Sequence, residues 1–262
     1  PPKMAETVEK NFSTTFNICS QLSDIDVNLA YTLKLDPTQK YKMGLVWFST
    51  YNTIFNITSQ NNEFRVLKGT DTFPCKIPPG AYEVKDFNDH IATSNKDLPQ
   101  DLISITDDKV TTKCKMSIKE GYTLKFNPSS FFHTILGFDA TKEYKGRPKY
   151  YLSGGIIQIT DINTINIECS LVNGGYVNTI NPNDSQSGGG SNTMKPSNLL
   201  YSFPSFTVPL GYKIIQNPYH PTYYPVFQTN INRFNIKITD DKSKLISFNG
   251  EKINMCLELK QV

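Results

Sequence analysis

Three histidines and five cysteines are the side chains of this 262-residue sequence best suited to proton transfer, nucleophilic attack or metal binding. His90 falls on the apolar side of a helical pattern formed by Val84, Phe87 and Ile91, and His133 follows Phe131 and Phe132, so both read as packed residues. His220 sits in a proline-rich turn, NPYHPTYYP, and reads as exposed. A general base or a metal centre needs such groups to converge, and no spacing ties these three together. Cys19, Cys75, Cys114, Cys169 and Cys256 are odd in number and include no CxxC pair. Cys114, Cys169 and Cys256 lie within strand-like alternation, which favours buried free thiols over a disulfide framework or a zinc site. The carboxylate pairs Asp107-Asp108 and Asp240-Asp241 are each followed by lysine, as in hairpin turns, and no DxDxDG calcium loop occurs. GxSxG, P-loop, HExxH and GxGxxG motifs are absent, and Gly188–Gly190 lacks the strand and helix of a phosphate cradle. No catalytic residue, cofactor or metal site is therefore expected.

Binding chemistry is left to aromatic and charged groups. Tyr150-Tyr151 and Tyr223-Tyr224 could serve as core, as a subunit interface or as a sugar or base platform, in that order of weight. The charge is balanced, with 27 basic and 24 acidic residues, and no basic stripe suggests a nucleic-acid partner. Lys142, Lys145, Arg147 and Lys149 form the densest basic stretch and read as a solvated loop. No apolar run reaches the roughly 18 residues of a membrane span. The polar start PPKMAETVEKNFSTT does not read as a signal peptide; residues 1–15 read as an arm or a cloning remnant. The sequons at Asn11, Asn56 and Asn183 read as chance matches, and the free cysteines favour synthesis in a reducing, intracellular place.

The elements that would position these groups are strands. Phe234, Ile236 and Ile238 alternate with polar residues, as do Ile253, Met255, Leu257 and Leu259, and a period of two marks half-buried strands. Asn249-Gly250 between them suits a tight hairpin, because both types tolerate positive φ. Further strands are expected at Phe16–Leu22, Tyr31–Pro37, Tyr41–Ile57, Asn62–Leu67 and Ile156–Val172. Val110–Ile118 and Tyr122–Phe126 read as a hairpin around Glu120-Gly121. One short helix should begin near Lys85 or Asp86, and Ser129–Phe138 forms a compact apolar segment closed by Gly137. Residues 178–198, rich in Gly, Ser and Asn, cannot bury enough apolar surface to pack and read as a mobile loop. About eight strands, one short helix, long loops and no linker predict an all-β protein with one domain over residues 16–262: a single jelly-roll antiparallel sandwich.

Several strings, in order, carry a resemblance: LDPTQKYKMGLVWFSTYNTIFNI, IPPGAYEVKDFN, FHTILGF, DINTINIECSLVNGGY, FPSFTVPLGYKI, YYPV and FNIKITDDKSKLISFNGEKINMCLEL. Over about Phe16 to Leu259 the chain resembles the minor capsid, or penton, proteins of Polinton (Maverick) elements and adintoviruses. The resemblance implies a jelly roll forming pentamers at the five-fold vertices of an icosahedral shell, whose faces use a separate double-jelly-roll major capsid protein. It carries over no catalytic residue. Residues 178–198 depart from the pattern in length and are expected at the surface, and residues 1–15 would tie the vertex to its neighbours. A receptor- or glycan-binding module and a host-retained capsid gene are the competing readings. A cupin-type enzyme would need histidines clustered on inward-facing strands. Alternation does not distinguish an interface strand from a core strand, so no interface residue is assigned.

Overall fold

The computed structural model describes residues 12–130, 132–147, 149–159, 162–173, 175–179, 193–205 and 208–262. The chain falls into two compact units, one from Pro1–Thr53 with Ile162–Val262 and one from Ile54–Asp161 inserted between them. The first unit opens with β1 (Ser13–Ser20), β2 (Asp24–Lys34) and β3 (Tyr41–Tyr51). The inserted unit holds β4 (Glu63–Lys68), β5 (Asp71–Lys76), α1 (Asp86–Thr93), β6 (Ile103–Asp108), β7 (Lys113–Ile118), β8 (Thr123–Phe126), α2 (Phe132–Leu136), β9 (Glu143–Lys145) and β10 (Tyr151–Ile156). The chain then returns to the first unit through β11 (Thr164–Cys169), β12 (Gly175–Thr179), β13 (Thr193–Ser197), β14 (Leu199–Pro204) and β15 (Lys213–Gln216). It ends with β16 (Tyr223–Val226), β17 (Asn230–Thr239) and β18 (Ile253–Gln261).

Two antiparallel sheets make the first unit. One runs β1-β18-β3-β15, with β16 also on β3, and the other runs β14-β11-β17-β2. β15 pairs with Phe48–Tyr51 and β16 with Tyr41–Gly44, so the two share one strand position along β3. Pro218 and Pro221 lie in the break between them, where a residue without an N–H cannot continue the ladder. Four positions per sheet, with the chain crossing repeatedly between sheets, is the eight-position topology of a jelly roll. The inward faces meet at Phe16 and Phe234 (ring centroids 5.2 Å apart), Phe48 and Phe203 (5.5 Å), and the Cys169 and Met43 sulfurs (3.7 Å). Ile253, Met255, Leu257 and Leu259 are buried on one face of β18, as their alternation predicts.

The inserted unit has its own core between the sheets β5-β4-β8-β9 and β10-β7-β6. Its centre is a chain of rings: Phe132 packs against Phe64, Phe87 and Phe126, and Phe126 continues to Phe138 and Tyr144. Asn88 on α1 completes the edge of β6. Its Nδ2 donates to the Ile105 carbonyl (2.8 Å), and its Oδ1 accepts the Ile105 N–H (2.7 Å).

The all-β jelly-roll expectation holds, with several differences in detail. The described residues contain two short helices rather than one, because Phe132–Leu136 closes a turn that its apolar composition did not reveal. Asn249 and Gly250 do adopt positive φ (52° and 84°), but β17 and β18 belong to opposite sheets, so their turn ends no hairpin. Similarly, Gly121 turns at φ 85°, yet β7 pairs with β6 and β10 while β8 pairs with β4 and β9. The ends of the expected 178–198 loop pair as strands, Asn178 with Met194 and Thr179 with Thr193; residues 180–192 lie outside the described residues. Of the expected arm, residues 1–11 also lie outside them, and Ser13–Thr15 belong to β1.

Candidate assembly surface

The residues suited to chemistry are dispersed. His90 packs edge-on to Tyr82 at 4.8 Å, His133 lies beside Phe126, and His220 is exposed against Tyr219. Burial pushes the His133 pKa down, with Asp139 opposing the shift. No group of three His, Cys, Asp or Glu side chains among the described residues converges as metal ligands do. All five cysteines are free; Cys19 is exposed and the others are buried. Burial raises the Cys114 thiol to about 12 and Cys169 to about 11, which keeps both protonated and unreactive at neutral pH. Asp108 accepts the Val110 N–H and Asp240 accepts those of Lys242 and Lys244, the turn roles expected of the two carboxylate pairs.

Three of the four paired tyrosines are engaged within the chain. Arg147 stacks 3.8 Å from the Tyr151 ring centre, Lys115 Nζ lies 5.3 Å from that of Tyr150, and Lys260 Nζ lies 3.5 Å from that of Tyr223. A cation over a ring occupies the face that a sugar or base would stack on. A depression of about 390 Å³ beside Tyr144 and Tyr151 also has its hydroxyls engaged: Tyr144 donates to the Asp139 carbonyl and Tyr151 to that of Lys145.

Tyr223 belongs to a lock across the first sheet. Thr15, Glu258, Gly44 and Tyr223 stand in one row of the ladder. The Tyr223 ring lies over Gly44, where a Cβ would stand 2.9 Å from the ring edge and 2.8 Å from the Thr222 carbonyl oxygen. Its hydroxyl donates to Glu258 Oε2 (2.5 Å), while Ser13 Oγ donates to Oε1 (2.8 Å). Burial and the Glu258 carboxylate raise the Tyr223 pKa to about 12, and the hydrogen bonds from Tyr223 and Ser13 hold Glu258 below its ordinary value. Three strands, β1, β18 and β16, are tied together by these groups.

Exposed apolar side chains occur on both flanks of the jelly roll, among other places, and are most numerous beside β15 and β16. On the β15–β16 flank, Leu210, Tyr212, Ile215, Tyr219 and Phe227 all face solvent, Tyr219 with 91% of its surface. Gly211, at φ 77°, turns the chain before β15, and backbone bonds between Asn52 and both Gly211 and Tyr212 hold that turn against the end of β3. No Asp or Glu occurs from Leu199 to Thr239, and Lys213 is the exposed cation of the flank. The opposite flank, β1 with β2, carries Asp24 and Asp26, both exposed and both accepting a hydrogen bond from Asn235 Nδ2. Leu22 is exposed in the turn between the two strands. The β2–β17 register jumps from Asn28 opposite Arg233 to Leu33 opposite Ile231. The extra residues form a bulge on an edge strand, which throws Tyr31 outward with 88% of its surface exposed. One sequence signal could have pointed to the first of these flanks, the long stretch without a carboxylate; the alternation of β2 runs unbroken through Tyr31 and hides its bulge.

No family model and no curated protein sequence matches the chain. Among solved structures, the chain is similar to the mavirus penton protein, with a TM-score of 0.49 and 15% identity over 96% of this chain and 100% of the other. It is also similar to a chain of the Sputnik virophage structure, with a TM-score of 0.43 and 11% identity over 95% of this chain and 97% of the other. The D2–D3 domains of the Escherichia coli flagellar cap protein FliD match more weakly, with a TM-score of 0.24 and 12% identity over 87% of this chain and 100% of the other.

Proposed function

We propose that this chain is a structural capsid subunit, not an enzyme. Five copies form a penton at each five-fold vertex of an icosahedral shell, surrounded by a double-jelly-roll major capsid protein. The observation that carries this reading is where the family-like strings fall in the fold. LDPTQKYKMGLVWFSTYNTIFNI contains β3, DINTINIECSLVNGGY contains β11, FPSFTVPLGYKI runs from β14 into β15, YYPV is within β16, and the final string spans β17 and β18. Five of the seven strings thus carry strands of the jelly roll, an architecture shared by viral capsid proteins, lectins and cupins, while IPPGAYEVKDFN and FHTILGF fall in the inserted unit. A cupin site needs histidines on inward-facing strands, whereas these three lie on α1, on α2 and in the break between β15 and β16. In this reading residues 16–262 act as one subunit, residues 1–15 reach neighbouring capsid proteins and residues 178–198 face outward. The product acts in the virion after synthesis inside the host cell, with no specific nucleic-acid partner.

The test is co-expression with the major capsid protein of the same element, followed by cryo-electron microscopy of the particles. Five-fold density should be present with this chain and missing without it. Shells whose vertices are filled identically in its absence would overturn the proposal.

A further inference from the structure

We infer that the jelly roll offers an open strand position beside β1, which an extended segment of the neighbouring major capsid protein fills by adding a strand to the sheet. The segment carries apolar side chains at every second residue. Its source rests on the capsid reading, whereas the position itself follows from the geometry of this chain.

The two sheets do not end level. Phe16 of β1 packs on Phe234 of β17, the strand next to β2, so β1 lies over β17 and β2 extends beyond it. Val27 stands opposite Phe234 in the β2–β17 ladder, and Leu29 follows on the same face. Both point inward, yet both are only half-buried, whereas Phe234 and Ile236 beside them are buried. One more strand next to β1, at the usual spacing of about 4.8 Å, would lie across from Val27 and Leu29 and cover them.

The backbone of β1 is set to receive that strand. The Gln261 N–H donates to the Phe12 carbonyl, and hydrogen-bonded pairs alternate along an antiparallel ladder. Thr14, Phe16, Ile18 and Ser20 therefore bond to β18, and the N–H and C=O groups of Ser13, Thr15, Asn17 and Cys19 point away from it. No hydrogen bond among the described residues reaches those outward groups. Donors and acceptors repeating at every second residue match another extended backbone, the basis of recognition by strand addition.

The other edges of the jelly roll are guarded. β2 has its bulge with Asp24, Asp26 and Lys34, β14 has a register shift and ends in Pro204, and Pro218 and Pro221 break the β15–β16 edge. β1 pairs with β18 over eight residues without a shift and contains no Pro, Gly or charged residue. Proteins blunt such an edge unless it is used.

The occupant is not this chain. Residues 1–11 put a charge into either alternating row, Lys3 and Glu9 in one, Glu6 and Lys10 in the other. Pairing β1 with β1 of a second copy is isologous and joins copies in twos, which a ring of odd number cannot satisfy at every subunit. A segment of a different shell protein avoids both conflicts.

Hydrogen exchange read by mass spectrometry, on the full chain alone and in shells co-assembled with the major capsid protein, tests the position. Residues 13–20 should exchange about tenfold more slowly in the shells, while 253–261, already paired on both sides, should not change. Shells that carry the chain with unaltered exchange over 13–20 would overturn the strand addition and leave the capsid reading intact; shells that exclude the chain would overturn both. A benzophenone side chain placed at Cys19 should crosslink to the major capsid protein, and adducts to a second copy of this chain would sink the choice of partner. As a third arm, Asn17→Pro removes an outward N–H without touching the β18 ladder. Melting should hold while incorporation into shells falls about tenfold, and incorporation at the parent level counts against the added strand.

Discussion

The jelly roll and the inserted unit bury their cores by different means. In the jelly roll β2 and β3 are eleven residues long, β17 ten and β18 nine, and the interior is lined mainly by aliphatic side chains such as Met43, Leu45, Ile236 and Leu257. In the inserted unit no described strand exceeds six residues, and Phe64, Phe87, Phe126 and Phe132 fill the centre. A long ladder aligns many modest side chains, so no single one dominates the packing. Short strands and one- or two-turn helices align few, and large rings must bridge between them. The inserted unit should therefore be the more sensitive to loss of one side chain.

Phe132→Ala is the sharpest challenge to that difference. The ring meets Phe64, Phe87 and Phe126, so its removal should cost about 3–5 kcal/mol, read by denaturant unfolding, with faster hydrogen exchange concentrated in residues 54–161. Leu257→Ala, at a fully buried position on β18, should cost about 2–5 kcal/mol and fall below the Phe132→Ala value. Equal or reversed losses would remove the contrast. Gly44→Ala probes the jelly roll from its outer face. The new methyl collides with Tyr223 and the Thr222 carbonyl, a crowding worth about 1–3 kcal/mol, and it should loosen β16 without disturbing the ring chain of the inserted unit.

The smallest effect belongs to the Tyr223–Glu258 pair and appears as a pH dependence. The Tyr223 pKa rises on folding from 10.0 to about 12, so its contribution is complete below pH 10 and is lost as pH climbs toward 12. The Glu258 pKa falls on folding from its ordinary 4.5, so its contribution is present above that value and fades as pH drops below it. Melting curves of Tyr223→Phe should show a shallower alkaline decline than the parent protein. An unchanged alkaline limb would mean that the hydroxyl does not hold β16 in place.

Much of the fold was legible because strand character is local. The alternation of Ile253, Met255, Leu257 and Leu259 identified β18 and its buried face, and the pattern around Phe87 located α1 within a residue or two. The insertion was not legible. The crossings at Thr53–Ile54 and Asp161–Ile162 lie in stretches as apolar and polar as the strands around them, with no run of Gly, Pro or Ser to mark a boundary. The flanks were legible only in part, since a stretch without carboxylates is visible in the sequence while its position at a sheet edge is not.

Residue order alone determined that the chain is antiparallel β, which side chains of its strongest strands point inward, and where Asn249, Gly250 and Gly121 turn the backbone. These properties depend on the φ/ψ preferences and side-chain direction of neighbouring residues. Tertiary structure alone decided that β17 and β18 part to opposite sheets, that β7 and β8 do the same, and that Tyr223 reaches over Gly44 to Glu258. Strand partnership depends on hydrogen bonds and packing between residues distant in sequence. A period of two is the same whichever strand lies alongside.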